Sequence, residues 1–480
     1  MDPNVICIVA DHLRYDVLGC GYTPWIDQLR ADSVCFDRMY CASPLCVPAR
    51  GALFTGTYPG VNGSIINGWY PPDKRHSLVK EGIDNLYGLM EEREMTCIHS
   101  GKQHLFVEGT QLEDRTETKT KWLSTEKTYK DFVKSSGKRL PGGPKFRTPV
   151  PELGSGRYTH IVTYSNGVTG RYEEGEKYYF DRYFTDLALE ELEKFDGKNP
   201  LFLSMMYLAP HPPFDIPDPW FSKVKKEEVR LPENVGVWYP HQSPLQKYNV
   251  TGVVGNTHTT EEWKESWRAY LGLVSLLDQC VGEIITALKE KGLYDNSIIL
   301  FCSDHGEMLG SHCLIQKMCM YEESARTPFS LHMPGGAGRG RIVETPLSHV
   351  DFLPTICDYL GISTRHQMDG TTLRPWLEGT AEKERPVFIQ YDGNGALGNF
   401  QRCVISGDYK LVTDVFKDEV FYELYDVKND RMETENLMFT AEGRKKAGEL
   451  YEMMRHHMED IGDFLVLPEP DFEEFCSNYR

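Results

Sequence analysis

Five short stretches of this sequence set ionisable side chains where chemistry could use them. Residues 4–10 (NVICIVA) run straight into Asp11 and His12, and residues 95–100 (MTCIHS) into Gly101-Lys102-Gln103-His104. Residues 201–208 (LFLSMMYL) lead through Ala209-Pro210 to His211. Residues 297–303 (SIILFCS) lead into Asp304-His305-Gly306-Glu307, with Lys317 a little further on. The fifth stretch is SPLCVPARGALFTG, in which Cys46, Pro48 and Arg50 alternate ahead of Leu53, Thr55 and Gly56. Asp11 and Asp304 are hard oxygen donors suited to Ca²⁺ or Mg²⁺. His305 as an imidazole ligand would soften such a site and leave Mn²⁺ open beside Ca²⁺; His12 could coordinate too, or orient Asp11 from behind. Taken singly, each lysine or histidine is more simply a surface cation or a satisfied core side chain, and Cys46 a buried thiol. Their recurrence directly after separate apolar runs needs a common cause.

A shared sheet edge supplies one. Each of the four runs has the length and continuous apolarity of a strand covered on both faces. Alternation of such runs with amphipathic stretches predicts an α/β protein on a large, mostly parallel sheet sandwiched by helices. In open sheets of that kind ligands bind beyond the carboxyl ends of the strands, so one edge would collect all four sets. Helices are expected at residues 178–195, 261–291 and 440–460, with a short one over 49–57 whose N-terminal amides would face an anion. Residues 106–176 and the Pro-rich 209–250 lack a periodic pattern and read as long excursions that form walls or lids. From about Arg385 short strand-like runs follow one another at 387–391, 401–405, 409–412 and 420–424, then a helix. That change predicts a catalytic domain over 1–384 and a smaller α+β domain with an antiparallel sheet over 385–480. Asp392 and Asn394 of YDGNG are expected to reach the pocket from this second domain.

Bulk composition narrows the possible functions. Hydrophobic residues make up 40% and charged residues 26%, which excludes disordered, collagen-like and coiled-coil chains. The net charge of −19 repels phosphate backbones and anionic lipid, so neither nucleic acid nor membrane is an expected partner. The same charge weakly disfavours long polyanionic polysaccharides. No apolar run reads as long enough to span a membrane. The 13 cysteines are odd in number, form no C-x-x-C, and often sit in apolar runs (Cys7, Cys97, Cys302, Cys357). They read as free thiols of a reducing compartment. The first residues, MDPNVICIVADHLRYD, show no basic region ahead of an apolar stretch, so the expected location is cytoplasmic. His456-His457 reads as a solvated helix face. Cys313 and Cys319 lack partners for a metal site, and GGAGRG at 335–340 follows no strand, against a dinucleotide loop.

Together the motifs resemble those of the type I sulfatases of the alkaline-phosphatase-like superfamily. The resemblance is carried by CVPARGALFTG, SGKQH, APHPPF, SDHGEMLGSH with QKMCMYEESARTPF, and ELYDVKNDRMETENL, and it runs from residue 4 to about 437. It implies hydrolysis of a sulfate monoester, carried by a sugar or by a small organic molecule such as choline. It implies that Cys46 is oxidised to Cα-formylglycine by a transient maturation enzyme. It also implies one divalent cation, Ca²⁺ foremost, held by Asp11, Asp304, His305 and residue 46, with His12 as a further candidate. By the same likeness the formylglycine hydrate is the metal-bound nucleophile and Arg50 holds it. Lys102 and Lys317 take sulfate oxygens, His104 is the base whose proton transfer expels sulfate, and His211 faces the leaving alcohol. Cleaving so poor a leaving group requires a cation, a nucleophile, fixed positive charge and an acid for the alkoxide.

The chain departs from the family pattern at four positions. His12 stands where many members have a second aspartate and His305 where they have Asn; Ala49 replaces a common Ser, and Val47 a small residue. The Asp-His pair also suits a phosphonate monoester or phosphodiester hydrolase of the same superfamily, whereas Lys102 and His104 of SGKQH resemble the sulfatases. A protein that keeps Cys46 as a thiol and only binds anions is the third reading.

Overall fold

The computed structural model describes residues 2–153, 159–381 and 384–479. Side chains along Asn4–Asp11 alternate between two dry faces, and the layers follow from that. Ile6 and Ile8 enter a core with Ala269, Leu273, Leu277 and Ile284 of the helix Thr260–Glu290. Val5, Cys7 and Val9 enter a second core with Leu53, Phe54 and the helix Phe352–Leu360. A strand with both faces dry has no position for a polar residue, hence the unbroken apolar run.

The main sheet has eight strands, in the order Ile342–Val343, Val34–Phe36, Phe329–His332, Ser297–Ser303, Asn4–Asp11, Leu201–Pro210, Thr96–Gly101, Lys121–Ser124. From Ser297–Ser303 to Lys121–Ser124 all neighbours run parallel. Phe329–His332 is antiparallel to both of its neighbours, so the sheet is mixed but mostly parallel. A separate antiparallel sheet follows, of Val387–Tyr391, Phe400–Ser406, Tyr409–Phe416 and Glu419–Asp426. The helix Ala441–Asp460 covers one face of it. Its other face shares a core with Met318, Met320 and Ala325, just beyond Lys317. Gln401 Nε2 and Lys410 Nζ donate to the carbonyls of Met318 and Met320 at 3.2 and 2.9 Å, so this sheet holds that loop in place.

Some expectations gain detail here and two, on membrane-length helices and on His457, are corrected. Residues 106–176 contain an edge strand of the main sheet, the capped helix Glu126–Ser135 and a hairpin of Arg147–Leu153 with Thr159–Ser165. These elements lie at the margin of the fold and bury too little to show a long apolar period. Thr260–Glu290 is long and apolar enough to pass for a membrane span, contrary to the sequence reading, yet 78% of its most apolar window is buried inside the protein. His457 is no solvated residue: its ring stacks on Phe388 at 3.8 Å and meets Tyr58 edge-on at 4.6 Å. No disulfide joins any of the described cysteines.

Candidate functional site

The strands ending in Asp11, Gly101, Pro210 and Ser303 are parallel neighbours, so their next residues leave the sheet at one edge. The backbone turns sharply there. Gly101 has φ 121°, and a Cβ would collide with the carbonyl of Met206, so only glycine lets the chain swing Lys102 over the edge. His12 (φ 67°) and His104 (φ 47°) sit in the left-handed region that side chains disfavour, and Gln316 and Met318 flank Lys317 in the same conformation. Such strain persists only where the surroundings over-determine it. At His12 they do: its carbonyl accepts from Tyr270 Oη at 2.8 Å and its ring is bonded at both nitrogens.

Cys46 is the first residue of the helix Cys46–Thr55, which therefore starts three residues earlier than expected. Pro48 is tolerated because a first-turn residue needs no amide hydrogen. The free amide of Val47 donates to Asn67 Oδ1 at 3.2 Å.

Asp11, His12, Cys46 and His305 each bring one donor atom to within 4.8 Å of the others, and all four are buried. Cys46 Sγ lies 3.2 Å from His305 Nε2 and 3.8 Å from Asp11 Oδ1. His12 Nε2 and His305 Nε2 stand 3.6 and 3.7 Å from the same Asp11 oxygen. The other ring nitrogens face acceptors: Glu307 Oε2 lies 2.5 Å from His12 Nδ1, and the Gly306 carbonyl 2.9 Å from His305 Nδ1. With a proton on each Nδ1 for these acceptors, each Nε2 can offer its lone pair, the arrangement that metal-binding histidines use. One carboxylate and two imidazoles, with position 46 between them, fit a divalent cation. Asp304 stands beside this set, its Oδ1 3.6 Å from His305 Nε2 and its Oδ2 accepting from Arg50 Nε at 3.0 Å.

The cations are woven into the same cluster. Arg50 also reaches Asp11 Oδ2 at 3.4 Å and donates to the Lys102 carbonyl. Lys102 Nζ bonds Asp11 Oδ2 and lies 3.9 Å from Cys46 Sγ, while Lys317 Nζ is 2.6 Å from His12 Nε2. Burial opposes ionisation of Asp11, but Lys102, His211 and Arg50 outweigh it and hold the carboxyl well below its ordinary value. Burial and the Asp11 charge push Asp304 the other way. Burial and Asp11 also resist ionisation of the Cys46 thiol, yet Lys102, Lys317 and His305 bring it well below the usual thiol range. His211 is driven down to about 3 by burial and then by Lys102. Its Nδ1 faces the Pro212 carbonyl and its ring meets that of His12 at 4.2 Å. His104 Nε2 pairs with Glu126 Oε2 at 3.2 Å; its Nδ1 is buried without a partner among the described residues.

A cleft of about 350 Å³ opens over this cluster, with Cys46, Lys102, His104, His211 and Lys317 at its inner end. Trp69, Lys130, Arg147 and Tyr164 line the outer part, so the excursion 106–176 is indeed a wall. Sequence reasoning placed Glu307 at the strand end but gave it no role; it accepts from His12 and also from the amides of Leu309 (3.1 Å) and Gln316. Its place in SDHGE was the available signal. Nothing marked Glu126 or Asn67. Asn394 stops one residue short of the cleft, bonded to Asn67 and Tyr164 at 2.8 and 2.7 Å. Asp392 does not reach it at all, because Arg402 and Gln390 hold its carboxylate within the C-terminal sheet, each at 2.7 Å.

A family model described as "Sulfatase" matches residues 3–362. The chain belongs to the sulfatase family. A model described as "N-sulphoglucosamine sulphohydrolase, C-terminal" matches residues 310–461. Among sulfatase relatives, a choline-sulfatase of Rhizobium meliloti is 29% identical over 455 residues, covering 92% of this chain and 83% of the relative. An N-acetylglucosamine-6-O-sulfatase of Bacteroides thetaiotaomicron is 23% identical, covering 96% and 87%. The fold is shared with a phosphonate monoester hydrolase of Agrobacterium radiobacter, at a TM-score of 0.77, 22% identity and 96% coverage of each chain. As a sulfatase, the protein is a sulfuric-ester hydrolase of the alkaline-phosphatase-like superfamily.

Proposed function

We propose that this sulfatase hydrolyses the sulfate monoester of a sugar or small organic alcohol through formylglycine at position 46, with one divalent cation at Asp11, His12, Asp304 and His305. The observation that carries this is the position of Cys46: first in its helix, 3.2 Å from His305 and 3.9 Å from Lys102, at the inner end of a cleft. The sulfur stands where the same Cβ would carry the formylglycine oxygen. The cation, Ca²⁺ foremost or else Mn²⁺ or Mg²⁺, supplies positive charge to the nucleophile and the sulfate oxygens.

The chain's own residues supply the rest. Lys102 and Lys317 bring ammonium groups to the sulfate oxygens. Arg50 keeps Asp11 and Asp304 together despite their repulsion. Glu126 fixes the proton of His104 on Nε2, which leaves Nδ1 as a proton acceptor. His211 keeps its Nδ1 proton on Pro212, so Nε2 faces the leaving group. A bound sulfate ester adds negative charge beside it, which raises its proton affinity and fits it to protonate an alkoxide. The names of the relatives support esters of both choline and a hexosamine.

Phosphonate monoester hydrolysis is the second reading, favoured by His305 beside Asp11. The test begins with the tryptic peptide spanning residues 39–50, which should carry an aldehyde at position 46 and an ordinary thiol at Cys41. An aryl sulfate should then be cleaved with a higher kcat/KM than the matching aryl phosphonate. Active protein with only a thiol at position 46 would refute the formylglycine reading, and the opposite rate order would install the second one.

A further inference from the structure

The outer cleft reverses the electrostatic sign of the molecule. The chain has a net charge of −19, yet among the described residues the cleft is lined by Lys102, Lys130, Arg147 and Lys317 against one carboxylate, Glu126. That carboxylate is engaged by His104 at 3.2 Å. Lys138, Arg139 and Arg171 of the same excursion are each paired to a carboxylate, Glu174, Asp215 and Asp218 respectively. Arg147 has no such partner among the described residues, and Lys130 has none at ion-pair distance, although it acts electrostatically on Glu126, one turn back on its own helix. Arg147 gives one N–H to the Thr163 carbonyl at 3.2 Å and lines the cleft. Beside them Trp69 is 54% exposed, with its ring 5.8 Å from that of Tyr164. Tyr164 is itself pinned by Asn394 at 2.7 Å, so the indole leans on a fixed support.

We propose that the outer cleft is a subsite for a second anionic group on the alcohol, a carboxylate or a further sulfate, received by Arg147 with Lys130 in support. Trp69 on Tyr164 forms the wall for the apolar face of the ring that bears it. This rests on the sulfatase reading of the inner site and narrows its substrate to acidic sulfated sugars and acidic sulfated ring alcohols. A planar guanidinium suits a carboxylate or sulfate by two parallel hydrogen bonds, and like-signed charge in a walled cleft concentrates anions. The same charge repels a trimethylammonium group, so choline sulfate would be a poor substrate despite the relative of that name.

Calorimetry with benzenesulfonate, 4-sulfobenzoate and 4-(trimethylammonio)benzenesulfonate reads the subsite without turnover. The carboxylate should bind tightest and the ammonium weakest. Arg147→Gln should lower the carboxylate-to-neutral affinity ratio by about fivefold, and Arg147→Gln with Lys130→Gln by on the order of tenfold. Arg147→Lys should retain part of the preference, and raised salt should erase it. Equal binding of the three, tighter binding of the ammonium form, or an unchanged ratio in the variants would overturn the proposal. The matched aryl sulfate esters should follow the same order in kcat/KM. A carboxylate preference in binding with no ester cleaved by the matured protein would support the subsite while refuting the sulfatase reading.

Discussion

At the inner end of the cleft Asp11, Arg50, Lys102 and His305 are buried and every charge touches another, whereas at the outer end Lys130 and Arg147 are exposed and make no ion pair with a carboxylate among the described residues. The inner groups come from four central strands and a helix, and the outer ones largely from one excursion at the sheet margin. Breaking a buried pair leaves an uncompensated charge in low dielectric, at about 3–5 kcal/mol. An exposed ion pair is worth at most about 1 kcal/mol. The reaction is therefore tied to the elements that hold the fold together, while the choice of alcohol rests on groups that can change without disturbing it.

The sharpest trial of that contrast is Asp11→Asn. It should strip the divalent cation, read by elemental analysis of the purified protein, and lower kcat/KM by about 10³-fold or more. A loss no greater than that of Arg147→Gln would erase the distinction between the two ends. His211→Ala comes next, and should cut hydrolysis of a sugar sulfate by on the order of 10²-fold while sparing nitrophenyl sulfate, whose leaving group departs unprotonated. Lys317→Ala should harm both substrates about equally. A selective loss in the Lys317 variant instead would exchange the two roles.

A third trial concerns Asp181, whose carboxylate accepts from the amides of Leu208 (2.7 Å) and Ala209 (3.1 Å) just before His211. Burial raises it to about 7, against an ordinary value near 4. The folded protein thus holds this proton more tightly than the unfolded chain. The stability it contributes is complete below pH ~4 and is lost as the pH rises through about 7. Asp181→Asn keeps one acceptor for two amides, a penalty of about 1–3 kcal/mol, but it cannot ionise. Its deficit in Tm relative to the parent should shrink between pH 5 and pH 8, and a constant deficit would remove Asp181 from the account. Trp69→Ala carries the smallest effect: an exposed ring tilted against Tyr164 should change Tm little and lower kcat/KM on a sugar sulfate by about tenfold at most. A large fall in Tm would make Trp69 a structural residue and weaken the outer wall.

The inner end was legible in the sequence because strands with two dry faces leave an unmistakable apolar run, and whatever follows such a run must emerge at the sheet edge. Asp11, Lys102, His211 and Asp304 were found that way, and Cys46 by its motif. The outer end was not legible. Short marginal elements such as Lys121–Ser124 and the hairpin at Arg147 bury too little to leave a periodic signal. Glu126 and Asn67 act through neighbours distant in the chain, His104 and Val47, and no local pattern records such a meeting.

By itself the sequence determined the α/β class, the sheet edge and the residue types gathered there, because apolar periodicity is a local property of the chain. Only the tertiary structure decided which groups share a charge. It set Glu307 behind His12, Lys102 on Asp11 and Lys317 on His12, left Arg147 without an ion pair among the described residues, and kept Asp392 away. Those outcomes depend on distances of a few ångströms between residues up to 305 positions apart, where Coulomb energy and hydrogen bonding change steeply and sequence spacing carries no information.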